Sequence, residues 1–239
     1  QGLGQRHAAI GAVLELQGDL AAALQEHRTA LRLAEALVAT WPAAEIDVSD
    51  QHLANGNVLL AQGDTIGARA AYRAGLDVAE AGARRAPTDR RWQILVGESH
   101  AYLGRVQVIQ GDLTGAVASY QTEIAIWQAG VDSATDDMAM QDRLAVGYTD
   151  LAAVFERQGD LGAALTACRR ATAITEVLAA RDPANRGVQR DRGLDQRNLA
   201  RILLAQGALD EALAADRAAL TITEALTTLD RGNAVWQRD

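Results

Sequence analysis

Three of the four histidines in this 239-residue chain stand in register. His7, His52 and His100 each lie eleven residues before a glycine, at Gly18, Gly63 and Gly111. Imidazole is the commonest metal-ligating side chain, so a recurrent histidine invites a metal ladder. Distance opposes it. Equivalent positions on neighbouring helices are roughly 8–10 Å apart, whereas metal donors sit ~2.0–2.1 Å from the ion. The same slot continues as Tyr148 and Gln196, which reads as a half-buried packing position for aromatic-sized side chains. Cys168 is the one thiol. It occupies the slot that holds Tyr72 and Tyr120 elsewhere, and an interior thiol lacks the access and lowered pKa of a nucleophile. Asp136 and Asp137 form a carboxylate pair in a loop. There is no glycine-rich phosphate loop, no His-Glu-x-x-His pair and no nucleophile elbow. The residues point to no catalytic group, no metal and no cofactor.

The charge balance narrows the partners. The net charge is −8, and all 23 basic residues are arginine, without a basic run. Phosphate backbones require clustered positive charge, so nucleic acid is not an expected partner. No apolar run approaches the ~18–20 residues that span a bilayer, and no membrane partner is expected. One cysteine forbids an internal disulfide. We place the chain in the cytoplasm, and read Gln1 as an internal start. Hydrophobic residues are 49% and aromatic residues only 4%. Alanine dominates, which favours helices over a β-sandwich or barrel.

The elements that must position these residues are repeated. Gln17-Gly18-Asp19-Leu20 returns as Gln62-Gly63-Asp64-Thr65, Gln110-Gly111-Asp112-Leu113, Gln158-Gly159-Asp160-Leu161 and Gln206-Gly207-Ala208-Leu209. The steps between the glycines are 45, 48, 48 and 48 residues. Glycine suits the left-handed position past a helix end, and the aspartate after it can cap the next helix. So short a connection makes the two helices antiparallel neighbours. Positions eight, seven and four before each glycine, and five, nine and fifteen after it, form one face per helix. The small residues Gly11, Gly56, Gly104, Ala152 and Ala200, seven before the turn, let the paired helices approach closely. Pro42, Pro87 and Pro183 mark inter-repeat loops, and Trp92 and Trp236 each open a first helix. Asn55, Gln107, Glu123, Cys168 and Asp216 interrupt the apolar pattern.

A large–Gly/Ala–large first helix, a glycine turn, then Ala-x3-Tyr at Ala68/Tyr72 and Ala116/Tyr120 resembles the tetratricopeptide repeat. The usual unit there is 34 residues, and the longer unit here resembles the kinesin-light-chain branch. The resemblance implies an all-α, right-handed superhelical solenoid of antiparallel helix hairpins, with first helices on the concave face. The expected organisation is a single array, residues 1–239. Its units run approximately over 1–43, 44–88, 89–136, 137–184 and 185–232, with a sixth starting at 233–239.

Slots ten, six and three before the turn are expected to face the concave groove. They hold Asn57, Arg105, Glu156, Arg197 and Arg201 among apolar residues. Arginine offers a fork that fits a carboxylate or phosphate, and in peptide-gripping members of the resembled family basic and Asn side chains hold a terminal carboxylate. The function expected is a non-catalytic protein- or peptide-binding scaffold or sensor segment of a larger, bacterial, signalling-type multidomain protein. The alternative is a structural array that stacks head to tail with itself.

Overall fold

The computed structural model describes residues 2–134 and 136–229. Trp236 and the start of a sixth unit lie outside the described residues. Ten α-helices follow one another: α1 (Gly2–Gln17), α2 (Leu20–Val38), α3 (Glu45–Ala61), α4 (Thr65–Arg85), α5 (Arg90–Gln110), α6 (Leu113–Ser133), α7 (Met138–Gln158), α8 (Leu161–Arg181), α9 (Arg186–Ala205) and α10 (Leu209–Leu229). A 3-10 turn, Pro42–Ala44, precedes α3. The described residues contain no strand, and the fold is an all-α helical repeat.

The five expected turns are built as their residues dictate. Gly18, Gly63, Gly111, Gly159 and Gly207 have φ between 80° and 84°, a region where a side chain on Cα is strained. In each turn the amide after the glycine returns to a carbonyl five residues back, as from Asp64 to Leu59 and from Ala208 to Leu203. These bonds satisfy carbonyls that the helix end leaves orphaned. Asp19, Asp64, Asp112 and Asp160 then accept from the amides of Ala22, Gly67, Gly115 and Ala163 at 2.8–3.1 Å. The fifth turn has Ala208 at this place and lacks the side-chain cap. Asp64→Ala is expected to lower the unfolding free energy by about 1 kcal/mol, and Ala208→Asp to raise it by a similar amount. Urea titration of both variants checks the pair.

The chain divides into two compact units, Gln1–Ile126 and Trp127–Asp239, described separately. In the first, α1 pairs with α2 and α3 with α4, while α2 also packs on α3, and α4 on α5. Its largest core cluster joins Leu53, Ala68, Tyr72, Leu76, Trp92, Leu103 and Val106. In the second, α7 pairs with α8 and α9 with α10, and α8 packs on α9. Ala152, Ala164, Ala167, Cys168 and Ile202 form a cluster there.

The seven-before residues are small for a more specific reason than helix approach. A Cβ at Gly11, Gly56 or Gly104 would overlap the ring of His27, Tyr72 or Tyr120, the residue nine after the same turn. Where that residue is the smaller Cys168, the seven-before residue is Ala152, and the two share a cluster. The glycine and the ring are one packing unit, with the ring filling the space that a side chain would take.

Candidate functional site

Among the described residues the histidine and cysteine candidates occupy separate packing positions. The histidine slot is half-buried in all five units. His7 Nδ1 lies 2.5 Å from Glu26 Oε2. Burial lowers the pKa of His52 and of His100, with Glu35 opposing the shift at His52 and Glu80 at His100. Among the described residues no group of three or more His, Cys, Asp or Glu side chains could hold a metal ion. Cys168 is 2% exposed, and burial pushes its thiol up to about 12, which leaves it protonated at neutral pH.

The expected groove residues separate into three environments. In the first unit Asn57 on α3 and Arg105 on α5 are joined through two tyrosines. The Tyr72 hydroxyl donates to Asn57 Oδ1 at 2.9 Å. The Tyr72 ring stacks on Tyr102, with centroids 5.2 Å apart and planes at 12°. The Arg105 guanidinium lies 5.3 Å above the Tyr102 ring centroid. The glycine at 56 permits the arrangement, because Tyr72 occupies the space beside it. Burial pushes the Tyr72 hydroxyl up to about 12, against the pull of Arg105, so it stays a donor. Asn57 and Tyr102 are half-buried and Arg105 is exposed.

In the second unit Arg201 on α9 pairs with Glu156 on α7. The acid neutralises the guanidinium, which reduces what Arg201 can offer an anion. Arg197 stands elsewhere. It lines a cavity of about 430 Å³ between α9 and α10, with Leu194, Asp216, Ile222 and Leu226 among the walls.

The ten-before slot therefore does not face an open groove, contrary to expectation. Leu53 is 5% exposed inside the core, and Thr149 donates to Asp195 Oδ1 on the following first helix at 2.9 Å. The slot lies on the edge that meets the next hairpin. The sequence reading missed Tyr102 as well. Its signal was present: an aromatic residue one helical turn ahead of Arg105, within reach at i,i+3.

The second-helix charges reach between hairpins. Arg169 Nη2 lies 2.9 Å from Glu211, and Glu176 lies 2.8 Å from Arg192 Nε. These pairs are partly or largely exposed, and such pairs contribute little each.

Comparisons with known proteins agree with the geometry. Residues 196–227 match the tetratricopeptide-repeat family model. No curated protein sequence matches the chain significantly. Among solved structures, apo RapI aligns with a TM-score of 0.69 at 10% identity, over 91% of this chain and 53% of that one. This chain thus spans about half the length of RapI. A Podosopora anserina protein described as a kinesin light chain, with nearly identical tetratricopeptide-like repeats, aligns at 0.63 and 18% identity, over 95% and 97% of the two chains. MamA aligns at 0.54 and 16% identity, over 92% and 97%. At these identities the likeness concerns the fold.

Proposed function

We propose that the chain is a non-catalytic binding scaffold or sensor segment built of tetratricopeptide-type repeats, a fold that generally mediates protein–protein interaction. It acts within a larger cytoplasmic, bacterial-type signalling protein, as one array of five units and the start of a sixth. The first four expected unit bounds fall between α-helices, which supports that reading, and the fifth lies outside the described residues. The ligand is an extended peptide with a carboxylate, held at Asn57 and Arg105 and lying across Tyr102. The observation that carries this is the chain of contacts Asn57–Tyr72–Tyr102–Arg105. It links one donor group from each of two neighbouring repeats, Asn57 bonded by the Tyr72 hydroxyl and Arg105 lying over the Tyr102 ring. Glu156, Arg197 and Arg201 have a lesser part. Arg201 is neutralised by Glu156, and Arg197 lies on the α9/α10 cavity.

A labelled peptide of alternating Asp and Leu with a free C-terminal carboxylate is the probe, followed by fluorescence anisotropy. Arg105→Glu is expected to weaken its binding by about tenfold or more, because a bidentate donor becomes a repulsive charge. Asn57→Ala is expected to act in the same direction, and Arg201→Glu to change affinity by less than about threefold. Equal affinity for wild type and Arg105→Glu would defeat the proposed site.

A second reading is self-assembly, head to tail. It is favoured by the outer face of α1, where Leu3, Ile10, Val13 and Leu16 are 49–90% exposed.

A further inference from the structure

Successive hairpins are joined in the same way in both units. In the first, the Gln110 side-chain amide at the end of α5 donates to the Thr65 carbonyl at the start of α4, at 3.0 Å. In the second, Gln206 just past α9 donates to the Leu161 carbonyl at the start of α8, at 2.9 Å. Each bond spans 45 residues. Both acceptors are backbone groups, so the joint is indifferent to the side chains of Thr65 and Leu161. Four residues before each glutamine, Val106 and Ile202 are 0% and 1% exposed. Residues two 48-residue repeats apart thus hold equivalent places in the two units.

Two such places differ in charge. In the second unit Arg201, six before its turn glycine, donates to Glu156, three before the preceding turn glycine. In the first unit the same two places hold Arg105 and Leu60. Arg105 lies over the Tyr102 ring, and among the described residues no acid pairs with it. Leu60 and Glu156 are both half-buried, and Arg105 and Arg201 are both exposed. The slot beside the guanidinium is filled by a carboxylate in one unit and apolar in the other. The rings differ too: Tyr72 and Tyr102 become Cys168 and Asn198 two repeats on.

We propose that the carboxylate of a bound peptide meets Arg105 over Leu60, and that Glu156 closes the equivalent slot of the second unit with the chain's own carboxylate. This rests on the peptide-binding reading above and gives the carboxylate its place. The residue three before the turn glycine is then the specificity-determining position: an apolar residue there leaves the arginine of the next hairpin to a ligand, and an acid takes it. A guanidinium grips a carboxylate with parallel N–H donors, and one carboxylate occupies that fork. An acid held in the same fold acts at an effective concentration on the order of millimolar or above. A free peptide must displace it at Arg201 and meets no such rival at Arg105. The Glu156–Arg201 pair shows that the backbone at these two places brings an acid and an arginine within reach. The Gln110 and Gln206 bonds show that the first unit repeats that backbone arrangement.

The labelled Asp–Leu peptide with a free C-terminal carboxylate tests this on the 239-residue chain, by fluorescence anisotropy. Leu60→Glu is expected to weaken binding by about tenfold or more, because the introduced acid pairs with Arg105. Leu60→Gln, similar in size and uncharged, is expected to bind within about threefold of wild type, which separates the slot from any loss of packing. Ala61→Glu brings the same charge one residue outside the slot and is also expected to stay within about threefold. Glu156→Leu is expected to add a second, weaker binding event that Arg201→Glu removes. An amidated copy of the peptide, and one with Asn for Asp, assign the carboxylate to the C-terminus or to a side chain, and full binding of both overturns the proposal. Circular dichroism checks that each variant folds. Equal affinity for wild type and Arg105→Glu overturns this slot together with the peptide-binding reading. If Arg105→Glu weakens binding, the slot alone is overturned by any of three results: Leu60→Glu has no effect, Ala61→Glu costs as much, or Glu156→Leu adds no second event.

Discussion

Tyr72→Ala is expected to lower the unfolding free energy by about 3–5 kcal/mol, the range for deleting a buried aromatic ring. Tyr72 is 0% exposed, stacks on Tyr102 and lies where a Cβ on Gly56 would otherwise be. Tyr72→Phe keeps the ring and loses the bond to Asn57, which is expected to cost about 1 kcal/mol. The informative companion is Gly56→Ala. In the wild type the added methyl strikes the ring, and overpacking of this kind costs about 1–3 kcal/mol. In the Tyr72→Ala background the space is empty. The same change then removes a mid-helix glycine and is expected to stabilise by roughly 0.5–1 kcal/mol. A sign change between backgrounds is the signature of direct coupling. Urea titrations of the four proteins measure it, and additive effects would contradict the packing described for this pair. Peptide binding at the proposed site is expected to weaken with Tyr72→Ala as well, since Asn57 loses its hydroxyl partner and Tyr102 the ring it stacks on.

Asp195→Asn is expected to stabilise the protein at pH 7.5 by up to about 3 kcal/mol. Asp195 is 4% exposed. Burial pushes its carboxyl up to about 6, even though Thr149 and Thr175 donate to it, and Asp191 and Asp142 add to the rise. A carboxyl whose folded pKa lies above its unfolded value holds its proton more tightly in the fold. Its contribution is most favourable below about pH 4, where both states are protonated. It is lost as the pH rises through about 6. The difference of about two units in pKa corresponds to the 3 kcal/mol. Asparagine fits the site because its carbonyl accepts one hydroxyl. The other threonine has an alternative acceptor, Ala145 O for Thr149 or Ala171 O for Thr175, and can accept from the amide. Asp142 and Asp191 are also raised by burial, so the measurement is the difference between wild type and variant. Urea midpoints from pH 4 to pH 8 are expected to diverge across that window and run parallel above it. A constant difference would contradict the assignment to Asp195.

The joint around Asp195 shows why some functional surfaces were hidden in the sequence. The ten-before slot was expected to open on a groove. It meets the next hairpin instead, because a first helix presents one edge to its successor, and the rotation that decides which edge comes from packing. Thr149 and Asp195 are 46 residues apart, Tyr72 and Asn57 fifteen, and Arg201 and Glu156 45. None of these pairs is connected by a local rule.

The recurrence of the turn, by contrast, was legible in full. Its glycines need a positive φ, and their aspartates reach amides three residues on. Both are satisfied within about six residues of chain, so the sequence by itself determined the helix ends, the antiparallel pairing and the repeat length. The histidine slot was legible too, since its half-buried character follows from helical period alone. Only tertiary structure decided which side chains of neighbouring repeats come into contact: that Asn57 and Arg105 are linked through two tyrosines, that Arg201 is answered by Glu156, and that Arg197 lines a cavity. Backbone torsions and caps are local and additive along the chain. Contacts between repeats depend on how helices rotate and cross, and the volumes of rings such as Tyr72 against glycines such as Gly56 decide that crossing.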